Sequence, residues 1–172
     1  LIEAIRDDDP VVFLENKMLY DVVDEVPDQS YTLPFGEARV VKDGPDATIF
    51  AIGRMVQFSE KASQLLADKG VNVSVIDLRT TSPLDEETIL EFTEQTGRVV
   101  IVDEAYPRCG FAADVASFIS SEAFEYLRAP IRKITPPHTP VPYSPALEKL
   151  FLPDPERICG AVLDVCNFKK GS

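Results

Sequence analysis

The stretch Val99–Ile119, "VVIVDEAYPRCGFAADVASFI", gathers the side chains best suited to chemistry in this sequence. An apolar run ends on Asp103 and Glu104, a short turn carries Arg108, Cys109 and Gly110, and an amphipathic segment follows. Carboxylates, an arginine and a thiol at a strand-to-helix turn match the place where open α/β sheets hold ligands. Cys109 beside Arg108 has the surroundings of an activated thiol, since a cation and a helix N-terminus both lower thiol pKa. No second base stands near it in sequence. Asp103 and Glu104 fall on opposite faces if the strand continues, which argues against a cooperating carboxylate pair. One of them is expected instead to cap the helix or to pair with Arg108.

Other candidates are thinner. His138 with Ser144 and an acid would have the composition of a hydrolytic triad, but His138 sits in "PPHTPVP", a stiff extended segment suited to lying on a surface. The first buried run ends "IGRMVQF", with one glycine where a dinucleotide fingerprint needs three. A single histidine and the absence of HExxH or zinc-type Cys/His spacing exclude the common zinc sites. The chemistry does not assemble, so the opening stretch reads as a joint between a strand and a helix.

The elements around these residues alternate. "ATIFAIG" (Ala47–Gly53) is a buried strand; Phe58, Ala62, Leu65, Leu66 and Lys69 follow at helical spacing, stopped by Gly70. Val71–Leu78 is a second strand. Asp85, Glu86 and Glu87 open a helix that runs to about Gly97, and "RVVIVDE" is the third strand. Phe111, Val115, Ile119 and Ala123 line one helical face, and Ala129–Ile134 is the fourth strand. Ser144-Pro145 and Asp154-Pro155 each pair a capping residue with proline at the first helical position. Strand and helix in alternation predict an α/β three-layer sandwich with a mostly parallel sheet. Residues 21–47 read as an irregular linker, and residues 1–20, with the apolar run Val11–Glu15, as the last helix and strand of something preceding. The chain opens on Leu1 rather than Met, which reads as a piece of a longer polypeptide.

Bulk properties narrow the partners. A formal charge of −12 over 172 residues excludes the Lys/Arg-based grip on phosphate that nucleic acid requires. It suits solubility, or a basic protein partner. No apolar run reaches the length of a membrane span. Cys109, Cys159 and Cys166 contain no CxxC, and the last two lie about 10 Å apart by helix rise, too far for a disulfide. Reduced thiols and a cytoplasmic setting follow as the expectation.

Five blocks in order resemble a known family: "VVFLENKMLYD", "YTLPFGEARVVKDGPDATIFAIGRMVQFSEKA", "VIDLRTTSPLDEETI", "VVIVDEAYPRCGFAADVASFI" and "ITPPHTPVPYSPALEKLFLPDPERI". Together they are similar to the beta subunits of thiamine-diphosphate-dependent 2-oxo acid dehydrogenases, and "DEAYPRC" and "PPHTPVP" look most like the acetoin-cleaving branch. The resemblance implies residues 1–20 as the tail of a pyrimidine-binding domain, 21–46 as linker and 47–172 as a transketolase C-terminal domain. It places the activating glutamate and the catalytic histidine outside this chain, and the diphosphate with its magnesium on an alpha subunit. No catalytic or cofactor-binding residue is therefore carried onto this sequence.

One motif does carry over. "AIRDDDP" matches a segment that binds a structural potassium ion in relatives, through the carbonyls of Ala4 and Ile5 and the side chains of Asp7 and Asp9. Oxygen ligands of this kind suit a hard cation; an Asp-rich turn is the alternative. The resemblance also implies assembly as the domain's task, against an alpha subunit, a second beta subunit and a dihydrolipoyl acyltransferase core. Pyruvate-type relatives can carry an acidic residue at the core contact, where this chain reads "YLRAP" with Arg128. Two other readings stand beside this one: the C-terminal domain of a different transketolase-type enzyme, or a free-standing acidic interaction module.

Overall fold

A computed structural model describes residues 1–169. After helix α1 (Ile2–Arg6) and a 3-10 turn (Lys17–Leu19), the chain forms strands β1 (Arg39–Pro45) and β2 (Ala47–Ala51), then helix α2 (Met55–Ala67) and strand β3 (Val73–Asp77). Helix α3 (Glu86–Thr96), strand β4 (Val99–Val102), helix α4 (Phe111–Glu122) and strand β5 (Arg132–Ile134) follow, then helices α5 (Pro145–Phe151) and α6 (Pro155–Cys166). The five strands lie in the order β1-β3-β2-β4-β5. All pairings are parallel except β1 with β3.

The three layers follow from side-chain alternation along the central strands. Ile49 and Ala51 of β2, Val73 and Val75 of β3, and Val100 and Val102 of β4 pack with Met55, Ala62 and Leu66 of α2 and Ile158, Val162 and Val165 of α6. Phe50, Ile76 and Ile101 point the other way, against Ile89 and Phe92 of α3 and Val115 and Ile119 of α4. Burial on both faces is why these strands read as nearly continuous apolar runs. Thr48, wholly buried on the α3 side, donates its hydroxyl to the Phe92 carbonyl at 3.0 Å and meets Thr96 Oγ1 at 3.0 Å. Its polar atom is thereby satisfied in the core.

The helix boundaries have local causes. Asp85 Oδ1 accepts from Thr88 N at 3.0 Å and Asp154 Oδ1 from Arg157 N at 2.7 Å, each an N-cap. Gly97 closes α3 in the left-handed conformation, φ 64°. Ser144 precedes α5, but its side chain makes no capping hydrogen bond.

Three further expectations change. The stretch read as irregular linker ends in β1, an edge strand with two register shifts, anchored where Ser74 Oγ accepts from Gly44 N at 2.9 Å. Its charges, glycine and proline hid it, and they are also what keeps an exposed edge from pairing elsewhere. Val11–Glu15 forms no strand, and Val12 and Leu14 are 85% and 87% exposed. A strand needs a partner, and among the described residues this run has none. Of the residues expected on one face of α2, Ala62 and Leu66 are buried in the core and Leu65 faces outward.

Candidate functional site

The chemistry-bearing residues collect at the carboxyl end of the sheet. Asp103 follows β4 directly and is 5% exposed. Its Oδ1 accepts from Ala105 N at 3.0 Å and its Oδ2 from Ala112 N, in the first turn of α4, at 3.1 Å. Backbone N–H groups at a helix start have no intrahelical acceptor, and a carboxylate there also meets the positive end of the helix dipole. Asp103 is thus the capping member of the carboxylate pair. The alternative partner, Arg108, is not used: the ion pair present among the described residues is Arg79–Asp77, at 3.7 Å.

Glu104 turns away from Asp103 and accepts from Asn16 Nδ2 at 2.8 Å. Burial pushes its carboxyl above the ordinary glutamate range, with the charges of Asp103 and Glu148 adding to the rise; the Arg54 guanidinium and the Asn16 hydrogen bond oppose it. Arg54 itself lies over the Phe58 ring, 4.9 Å from its centre.

Cys109 is exposed, with φ at 52°, a left-handed backbone on a residue that is not glycine. Such a conformation is uncommon outside Gly, Asn and Asp. The thiol opens on a shallow depression of about 500 Å³ shared with Gly110, Phe111 and Asp114. Among the described residues it makes no hydrogen bond to an ionisable side chain. His138 is exposed and leans on Tyr106, ring centres 5.2 Å apart. It has no hydrogen bond to Ser144 or to any acid among the described residues, and no triad forms.

The cation candidate lies at the other end of the chain. Ala4 and Ile5 belong to the last turn of α1, and their carbonyls receive no backbone N–H among the described residues. Asp7 is the C-cap, and its Oδ1 accepts from Asp9 N at 2.8 Å. Two carbonyls without a backbone N–H partner among the described residues and two aspartates lie in one short turn, donors of the class a hard cation takes. No group of three His, Cys, Asp or Glu side chains suited to one metal ion occurs among the described residues. No glycine-rich phosphate cradle occurs among the described residues.

The Asn16–Glu104 contact spans 88 positions and had no sequence signal; only the folded geometry reveals it.

A sequence profile described as "Transketolase, C-terminal domain" matches residues 36–158. The chain belongs to the transketolase C-terminal domain family. The matched span begins just before β1 and ends within α6, so it contains the whole sheet. Among curated proteins, the chain is similar to the acetoin:2,6-dichlorophenolindophenol oxidoreductase subunit beta of Cupriavidus necator, 50% identical over 161 residues, covering 94% of this chain and 48% of that one. The subunit of the same name from Bacillus subtilis is 44% identical over 165 residues, covering 96% and 48%. A pyruvate dehydrogenase E1 component subunit beta from Rickettsia bellii is 40% identical over 169 residues, covering 98% and 52%. The chain therefore spans about half the length of the curated relatives it matches. Among solved structures, a split-gene transketolase described as an inactive beta4 tetramer superposes with a TM-score of 0.72 at 26% identity, covering 86% of this chain and 47% of that one.

Proposed function

We propose that this chain is the C-terminal part of the beta subunit of a thiamine-diphosphate-dependent dehydrogenase of the acetoin or pyruvate type, and that its own task is assembly. The observation that carries this reading is the 50% identity to an acetoin-oxidising beta subunit across nearly the whole chain. Its geometry agrees: the one carboxylate buried at the carboxyl end of the sheet is spent on capping α4, and the exposed thiol and histidine stand without catalytic partners. In the intact enzyme, thiamine diphosphate with magnesium would supply the carbanion chemistry that cleaves the substrate, and the two-carbon fragment would pass to lipoamide.

The proposed partners are an alpha subunit, a second beta subunit and a dihydrolipoyl acyltransferase core. Net charge −12 favours steering toward a basic docking partner. Arg128, exposed beside the α3–β4 turn, would weaken rather than strengthen such a contact at its own position. Ala4, Ile5, Asp7 and Asp9 would hold a potassium ion between the preceding pyrimidine-binding domain, to which residues 1–20 belong in this reading, and the sheet domain. With β1 included, the linker runs from residue 21 to about 36, and the C-terminal domain takes up the rest. Three free cysteines support a cytoplasmic setting. No helix among the described residues is long and apolar enough to cross a membrane.

The test is dye-linked oxidation by the full-length beta polypeptide with its alpha subunit. Acetoin-dependent reduction of 2,6-dichlorophenolindophenol that needs both subunits and thiamine diphosphate is the expected result. Reduction with pyruvate alone moves the assignment to the pyruvate type, and reduction with neither overturns the dehydrogenase reading.

A further inference from the structure

In open α/β sheets the place to look for a bound group is outside the carboxyl ends of the strands, where the strand order reverses. Here the chain leaves β2 through α2 toward β3 on one side, then returns through α3 to β4 on the other. The reversal therefore lies between β2 and β4. Its rim is Gly53 and Arg54 after β2, and Asp103 and Glu104 after β4.

The group met there belongs to the chain itself. Glu104 Oε2 accepts from Asn16 Nδ2 at 2.8 Å, and among the described residues this is the one hydrogen bond joining residues 1–35 to the rest of the molecule. The amide's orientation is fixed from its other side: Asn16 Oδ1 accepts from Met18 N at 3.0 Å, capping the 3-10 turn and leaving the NH2 group for the carboxylate. Asn16 and Leu19 are the half-buried positions of a segment, Val11–Tyr20, whose other residues are exposed. Arg54 completes the surroundings of the carboxylate, its guanidinium held over Phe58.

We propose that the rim of the sheet at the switch point is the docking site for the chain's own N-terminal arm, with Glu104 as anchor and the capped Asn16 turn seated on it. One charge-assisted hydrogen bond then sets the direction in which residues 1–15 leave the sheet domain. Anything joined upstream is aimed by the same contact. This inference uses the geometry of the chain alone and stands or falls separately from the dehydrogenase reading.

Trypsin reads the contact directly, because Lys17 lies in the docked turn while Arg6 ends the short helix α1. In the full chain, Glu104→Ala and Asn16→Ala are each expected to raise the cleavage rate after Lys17 about tenfold, as the open population grows by the loss of a charged hydrogen bond. Cleavage after Arg6 is expected to stay unchanged. Glu104→Gln, which keeps an acceptor without the charge, should fall between wild type and Glu104→Ala. The double variant should cleave no faster than Asn16→Ala, which loses both the Glu104 contact and the cap on Met18 N, because removing Glu104 has nothing further to release once the amide is gone. Unchanged cleavage after Lys17 in both single variants would overturn the proposal, as would rates that multiply in the double. Asn16 is outside the hydrophobic core, and Asn16→Asp, which keeps an oxygen for Met18 N but offers Glu104 no donor, should also speed cleavage after Lys17, so the test stays decisive even if Glu104→Ala disturbs the fold.

Discussion

Asp103 Oδ2 accepts the backbone N–H of Ala112 at 3.1 Å, tying the end of β4 to the first turn of α4 nine residues later. The same carboxylate holds Ala105 N at 3.0 Å, so both oxygens serve the backbone of one turn. The stretch joins a strand to a helix, and its buried carboxylate caps that helix. Asp103→Ala would leave the buried Ala112 N–H without its acceptor. The expected cost is about 2 kcal/mol, seen as a Tm lowered by roughly 4–8 °C in a calorimetric melt. A melt within 1–2 °C of wild type, allowing about 0.5 kcal/mol for scatter, would mean the cap contributes little.

The exposed thiol tests the same reading from the other side. Cys109 has no partner that a serine would fail to replace, so Cys109→Ser should leave stability within about 0.5 kcal/mol. Toward an excess of an aromatic disulfide reagent, Cys109 should react first and Cys159, 4% exposed, last. Burial raises the Cys166 thiol pKa and leaves it half-covered, which places it between them. A fast-reacting thiol in the Cys109→Ser variant would contradict that order.

Asp85 does two jobs, capping α3 through Thr88 N and accepting Ala38 N at 2.7 Å ahead of the edge strand. Burial alone would raise its pKa, but the N–H groups of Ala38 and Thr88 and the Thr88 hydroxyl outweigh that and hold it below the ordinary aspartate value of 3.8. A depressed pKa stabilises the fold above the unfolded value, and that contribution is lost as pH falls through the folded one. Asp85→Ala should therefore cost about 1 kcal/mol near neutral pH. The difference from wild type should shrink as pH drops below about 4. Parallel urea titrations at the two pH values check it; a gap that widens in acid would contradict the assignment.

Gly97 is a position where no side chain fits. Its φ is 64°, and a Cβ there would run into the Tyr126 carbonyl oxygen and the Arg128 side chain. Gly97 also accepts Arg128 N at 2.7 Å, so the two segments cannot simply part. Gly97→Ala should cost more than about 2 kcal/mol, combining left-handed strain with collision. Denaturant midpoints of the two proteins measure it, and a loss under about 0.5 kcal/mol would show that the turn yields.

The central architecture was legible because both-face burial writes itself as apolar runs: Ala47–Ala51, Val73–Asp77 and Val99–Val102 are all strands. Asp85, Gly97 and Asp154 marked their helix ends through capping chemistry that depends only on nearby residues. What escaped is what depends on distant partners. β1 is a strand through its pairing with β3, in a sequence that carries Lys42, Asp43, Gly44 and Pro45. Val11–Glu15 has the composition of a strand and no neighbour to make it one among the described residues. Asp103 was legible as a candidate cap or ion-pair member, and the fold decided for the cap. The Asn16–Glu104 contact, between one amide and one carboxylate far apart in the chain, leaves no trace in spacing or composition.

The central claim is that this polypeptide supports chemistry placed elsewhere. Titrating the 172-residue chain with thiamine diphosphate and magnesium in a calorimeter tests it most directly. The account predicts no saturable binding heat up to about millimolar cofactor, the weak end of the affinity scale. Saturable binding with a Kd near about 1 μM would contradict it.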